Sequence, residues 1–156
     1  MSLYFITGAS GVVGSAIVPQ IIRQTDAEVL VMLRPKEDSS LEDRLSELKK
    51  FWRTHYPDTA EGIDARVRPV RGEITEPVLG LDESTQQLLR KQCTNIIHSA
   101  ASVRMNMPLV EAEKTALYPV SCAIELGQTC SQLKKVEFIS TVGVGGRWEG
   151  PLPERW

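Results

Sequence analysis

Three glycines, Gly8, Gly11 and Gly14, stand where a short apolar run (Leu3 to Ile6, then Thr7) gives way to apolar residues at helical spacing. With Ser10, Val12 and Val13 between them, they make a turn whose backbone N–H groups lie open at the start of a helix. Those orphan N–H groups and the positive end of the helix dipole favour a phosphate. Each glycine has its task in such a turn: a tight bend, close approach of backbone to a pyrophosphate, and close packing of helix on strand. The spacing G-x-x-G-x-x-G departs from G-x-G-x-x-G only in its first interval, and its place between a strand and a helix predicts a dinucleotide site.

The choice of dinucleotide is read about 20 residues further on, where an acidic residue would accept from the ribose 2′-hydroxyl of NAD and an Arg would accommodate the 2′-phosphate of NADP. Arg34 occupies that place, with Lys36 close by and Glu37 and Asp38 following. A guanidinium offers bidentate, charge-assisted hydrogen bonds to a phosphate. NADP(H) is therefore the expected cofactor, ahead of NAD.

Regular elements must hold these residues in place. The run Leu3 to Ile6 suits a central parallel strand buried on both faces, and Glu28 to Leu33 a second one. Helical spacing runs from Val12 to about Gln24, with Pro19 inside it expected to bend the helix or remove one hydrogen bond. Ser39 and Ser40 offer N-caps to a helix whose face carries Leu41, Leu45, Leu48 and Trp52. Thr54 to Ala65 reads as a loop, and Ala65 to Arg71 as a third strand placed towards an edge by Pro69. A turn through Pro77 and Gly80 precedes a helix from about Asp82 to Gln92. Asn95 to His98 is a fourth strand, a long helix interrupted at Pro119 runs from about Pro108 to Cys130, and Lys135 to Ser140 is a fifth strand.

Strands alternating with helices indicate an α/β fold, a Rossmann-like doubly wound parallel sheet of about five strands with helices on both faces. Right-handed crossovers give the order 3-2-1-4-5, with a crevice where strands 1 and 4 diverge. There Gly8 to Gly14 would meet His98 to Ser102. The chain reads as a single domain over residues 1–156, and its long helix with an exposed apolar face predicts a homodimer or a further C-terminal portion as partner.

A net charge of −2 gives no basic footprint for nucleic acid. No apolar run approaches the ~20 residues that span a bilayer, and no secretory leader is evident, so a cytoplasmic location is expected. Cys93, Cys122 and Cys130 form no C-x-x-C pair, which points to reduced thiols and to no metal site.

TGASGVVG (Thr7 to Gly14), together with Gly72-Glu73-Ile74-Thr75, His98-Ser99-Ala100-Ala101 and Phe138-Ile139-Ser140-Thr141-Val142, resembles the extended short-chain dehydrogenase/reductases. Within them the chain is most similar to the thioester reductase and fatty acyl-CoA reductase branch, also called male-sterility-like. The resemblance implies that Thr7, Gly8, Ser10, Gly11, Val12, Val13 and Gly14 bind the pyrophosphate and Arg34 the 2′-phosphate. It implies that Glu73 and Ile74 lie near the adenine, Glu73 standing where the family has an Asp. Ser99, Ala100 and Ala101 would let the cofactor lie over strand 4, and Thr141 would hydrogen-bond the substrate carbonyl as a catalytic residue. Ala116 stands where many members have an Asn. The family's Tyr-x-x-x-Lys is absent: Tyr4, Tyr56 and Tyr118 are followed four residues on by Gly8, Ala60 and Cys122.

The expected function is thus the NADP(H)-binding part of an oxidoreductase that reduces an acyl thioester or related carbonyl in its full-length form. The chain is expected to stop short of the catalytic Tyr-Lys helix and the substrate lobe, and to be inactive alone. A non-catalytic NADP-binding sensor or scaffold, or the N-terminal part of a sugar-nucleotide epimerase or dehydratase, are the alternatives.

Overall fold

The strands form where β-branched and large apolar residues run together, and they pair in parallel because a helix follows each of the first four. In the computed structural model, residues 1–34, 36, 38–102, 104, 106–140 and 150 are described. Strands β1 (Leu3–Thr7), β2 (Glu28–Leu33), β3 (Val67–Arg71), β4 (Asn95–His98) and β5 (Lys135–Phe138) make one sheet in the order β3-β2-β1-β4-β5. All four pairings are parallel, with Thr7 opposite Met32 on one side and His98 on the other. This is the sheet expected from the sequence, with β5 ending at Phe138 instead of Ser140 and β3 beginning at Val67 instead of Ala65.

Side chains alternate across the sheet, so each strand feeds two cores. Leu3, Phe5, Leu30, Met32 and Ile96 face one layer, built with Leu89 of α4 (Glu83–Gln92) and Cys122, Ala123 and Leu126 of α6 (Tyr118–Thr129). Ile6, Val29, Val31, Leu33 and Ile97 face the other, built with Val18, Ile21 and Ile22 of α1 (Val12–Gln24), Leu45 and Trp52 of α2 (Leu41–His55) and Ile63 of α3 (Ala60–Arg66). Coverage of both faces is what near-continuous apolar strands require. The three cysteines are free and buried. A hydrogen bond to Cys130, reinforced by burial, pushes the Cys93 thiol up, so it serves as a packing group.

Two local departures, and one expected interruption at Pro19, have physical causes. Thr54 to Ala65, expected as a loop, completes α2 and then forms a 3-10 turn (Pro57–Thr59) and α3. Helix α3 has only Ile63 fully buried, too little for a helical period to show in the sequence. Its last residue, Arg66, donates to the carbonyls of Ile22 (2.9 Å), Thr25 (2.6 Å) and Ala27 (3.2 Å), closing the exposed end of α1.

Pro19 lies within α1, which continues through it. Proline has no N–H for the carbonyl four residues back, that of Ser15. The fully buried Trp52 donates its indole N–H to that carbonyl at 2.7 Å, replacing the missing bond from a different helix.

The segment expected as one helix from Pro108 to Cys130 is three pieces: α5 (Leu109–Ala112), a π-helical stretch (Glu113–Leu117) and α6. Pro119 removes the bond to Thr115, and the chain widens by one residue, with Tyr118 N–H reaching Glu113. Leu109, Val110 and Leu117 on these pieces are exposed. No described helix is long and apolar enough to cross a membrane.

Candidate dinucleotide site

After the neighbouring parallel strands β1 and β4 the chain turns towards opposite edges of the sheet, and the gap this opens at the carboxyl edge is where the glycine turn sits. Thr7 ends β1 fully buried and acts beneath the turn. Its Oγ1 shares a hydrogen bond of 2.9 Å with His98 Nδ1 and accepts from Ala100 N–H at 3.3 Å. Its carbonyl accepts from Ser99 N–H at 3.2 Å and Ser99 Oγ at 2.8 Å. Thr7 therefore ties β1 to the start of the β4 loop and lines neither cleft described below. Burial lowers the pKa of His98 below its ordinary value, so the ring is neutral at pH 7 and serves as a packing and hydrogen-bonding group.

The turn itself depends on missing side chains. Gly8 has φ +76°, and a Cβ there would meet Ala100 N at 2.6 Å and Ser99 C at 2.7 Å. A Cβ on Gly14 would run into the Gly8 carbonyl, with the Gly8 carbonyl carbon at 2.7 Å and Ala9 Cα at 2.9 Å. Gly11 N–H closes the turn on Gly8 O at 2.9 Å, and Gly11 then N-caps α1 without a side-chain cap. The first intrahelical bond runs from Ser15 N–H to Gly11 O, so Val12, Val13 and Gly14 have no intrahelical acceptor for their N–H groups. No acidic residue sits in the first turn of α1. The helix thus presents free donors and its positive end to the crevice.

Two clefts meet over this turn. One, of about 330 Å³, is lined by Gly8, Ser10 and Gly11, by Met32 and Arg34 after β2, by Lys36 and Arg44, by Gly72, Glu73 and Ile74 after β3, and by Ser99, Ala100 and Ala101. The other, of about 830 Å³, runs from Gly11 to Gly14 and His98 to Ser102 across to Ala116, Val120, Phe138, Ile139 and Ser140. Gly11, Ser99, Ala100 and Ala101 belong to both, so the clefts form one trough with the phosphate turn at its middle. The first end is basic and the second apolar, apart from hydroxyls and the buried His98. Val12 and Val13, 91% and 47% exposed, stand at the second end.

The structure thus gathers Gly8, Ser10, Gly11, Val12, Val13, Gly14, Arg34, Lys36, Glu73, Ile74, Ser99, Ala100 and Ala101 along one trough, with Thr7 supporting it from below. Thr141 and Glu37 lie outside the described residues. Two features do not follow from the glycine spacing and the place of Arg34 alone. Arg34 Nε donates to Glu73 Oε2 at 2.7 Å, so the cation is already paired. Arg44, on the first turn of α2, donates through Nη1 to the Arg34 carbonyl and lines the same basic end. Its signal was the capping box of Ser40 and Asp43, which fixes where α2 begins and hence which residue its first turn turns inward.

A nicotinamide dinucleotide fits this arrangement on three counts: a cradle that any Cβ would fill, unpaired helix donors at its centre, and a trough extending both ways. The comparisons with known proteins agree. The chain is 31% identical over 144 residues to fatty acyl-CoA reductase 1 of Gallus gallus, covering 87% of this chain and 27% of that protein. It is 31% identical over 98 residues to the isonitrile lipopeptide synthase of Streptomyces coeruleorubidus, covering 63% of this chain and 6% of the synthase. The terminal R domain of the myxalamid PKS-NRPS pathway superposes with a TM-score of 0.77 at 27% identity, over 92% of this chain and 36% of that one. The reductase domain of a non-ribosomal peptide synthetase from Mycobacterium tuberculosis does so with 0.75 at 25% identity, over 96% and 35%. The chain therefore spans well under half the length of each of these relatives. Residues 6–155 match the NAD-binding family described as male sterility protein, and the chain belongs to that nicotinamide-dinucleotide-binding family.

Proposed function

We propose that this chain holds NADP(H) for the reduction of an acyl thioester by the full-length protein. The observation that carries the cofactor choice is the basic end of the trough, where Arg34, Lys36 and Arg44 converge beyond the adenosine side of the glycine turn. Arg34 and Lys36 follow β2 and Arg44 opens α2, so the three cations come from one short stretch of chain. A 2′-phosphate gains from them through charge-assisted hydrogen bonds, and a bare 2′-hydroxyl gains far less.

In this reading Val12, Val13 and Gly14 N–H groups receive the pyrophosphate, Ile74 and Glu73 flank the adenine, and Ala100 and Ala101 leave room over β4. When bound, the dinucleotide supplies the hydride. The apolar cleft of Ala116, Val120, Phe138 and Ile139 excludes water from the reacting end. Thr141, next after Ser140, polarises the substrate carbonyl. Similarity to proteins named as fatty acyl-CoA and peptide-synthetase reductases supports the thioester as substrate class.

Calorimetric titration with NADPH and NADH tests the cofactor choice. NADPH is expected to bind about tenfold tighter, ~1.4 kcal/mol, and Arg34→Glu to abolish that preference. An unchanged preference in Arg34→Glu would contradict the reading.

A further inference from the structure

We infer that Glu73 is a specificity-determining residue: by engaging Arg34 it weakens recognition of a 2′-phosphate and holds the preference for NADP(H) over NAD(H) below what the basic cluster alone would give. The inference rests on the NADP(H) reading above. Its basis is the register of β2 and β3. Leu33 lies opposite Arg71, and Gly72 N–H donates to Leu33 O at 3.1 Å, so Arg34 and Glu73 leave adjacent strands at the same level. They meet as an ion pair of 2.7 Å.

Glu73 is the fixed partner of the two. Its N–H donates to Leu79 O at 2.8 Å, and its carbonyl accepts from Glu76 N–H at 3.1 Å. Its Oε1 accepts from Thr75 N–H at 3.3 Å and Thr75 Oγ1 at 3.2 Å, which leaves Oε2 for Arg34. Leu79, the residue that receives the Glu73 N–H, is fully buried and has φ +60°, next to Val78 at φ +50°. A β-branched residue in the left-handed region is strained, and it persists only where packing over-determines it. The buried Leu79 side chain supplies that packing, so the turn keeps Glu73 where it is. Arg34, 65% exposed against 24% for Glu73, is the more exposed partner, with fewer contacts to fix it.

Two consequences follow for a ligand. The Nε of Arg34 is occupied, which removes the side-on fork that pairs Nε and Nη with two phosphate oxygens. A phosphate dianion also comes up against the Glu73 carboxylate, whereas a ribose 2′-hydroxyl meets an acceptor there. Glu73 thus acts against NADP(H) and not against NAD(H), and its removal changes the ratio of affinities.

The test is the affinity for NADPH and for NADH of the wild-type protein, Glu73→Gln, Glu73→Asp, Arg34→Gln and the double variant Arg34→Gln/Glu73→Gln. Glu73→Gln is expected to tighten NADPH about fivefold, the scale of an exposed ion pair, with NADH unchanged or weaker. Glu73→Asp, too short to hold Arg34 at the same distance, shifts the ratio in the same direction and serves if the glutamine variant misfolds. In the Arg34→Gln background the Glu73→Gln effect on NADPH is smaller than in the wild type, because only the direct repulsion by the carboxylate is left to remove. A ratio unmoved by both Glu73 variants, or equal losses for both nucleotides, would overturn the inference while leaving a wild-type NADPH preference standing. Absence of that preference in the wild type, with Arg34→Gln also silent, overturns the NADP(H) reading and this inference with it.

Discussion

Gly14 and His98 carry the two sharpest residue-level expectations. In Gly14→Ala the new Cβ meets the Gly8 backbone, which cannot rotate away as a side chain would. The variant is expected to lose on the order of 1–3 kcal/mol of stability and to bind the dinucleotide much more weakly, as read by urea denaturation and calorimetry. His98 gives a pH dependence. Burial holds its folded-state pKa below the ordinary 6.5, so the unfolded chain takes up the proton first as pH falls. Stability is full above about pH 6.5 and declines below it, by up to ~1.4 kcal/mol per pH unit, until the folded-state pKa is reached. The carboxylates of Asp58, Asp64 and Asp82, held below 3.8 by Arg23, by Arg53 and by the Thr85 N–H respectively, lose their contribution only in more acidic solution. Urea midpoints at about pH 7.5 and about pH 5.5 read the His98 window apart from the carboxylates, and His98→Gln should flatten it. At this scale the sequence disclosed the glycines and Arg34, because strand, turn and spacing are local. The pairing of Arg34 with Glu73 is not local: it joins residues that only the β2–β3 register brings together.

Among the elements, α2 links fold to site most directly. Ser40 Oγ accepts from Asp43 N–H at 3.1 Å, and Asp43 Oδ2 accepts from Ser40 N–H at 3.2 Å and from Ser40 Oγ at 2.8 Å. Ser40→Ala should cost about 1 kcal/mol and, by fraying the turn that carries Arg44, weaken NADPH more than NADH. Thermal denaturation and paired titrations check both parts, and equal loss for the two nucleotides would remove Arg44 from the basic end. The start of α2 was legible from its capping residues. Helix α3 was not, since one buried residue in seven sets no period. Pro19 and Pro119 were legible as interruptions, but their outcomes differ for tertiary reasons. Trp52 repairs the first from another helix, and the second is absorbed by a π-helical widening beside the apolar cleft.

For the whole molecule, alternation of strands and helices indicated a parallel sheet with right-handed crossovers, and of the strand orders these allow the fold has β3-β2-β1-β4-β5, with its switch point between β1 and β4. The clefts followed from that order, although their shapes depend on contacts between distant segments. In the proposed function one trough, centred on the Gly8 to Gly14 turn, holds the dinucleotide. The direct measurement is the change in backbone amide NMR shifts on titration with NADPH. The largest changes are expected at Gly8, at Gly11 to Gly14, at Arg34 and at Ser99 to Ala101, saturating together. Saturable binding that leaves these amides unmoved, or shifts confined to α4 and β5, would contradict the proposed function.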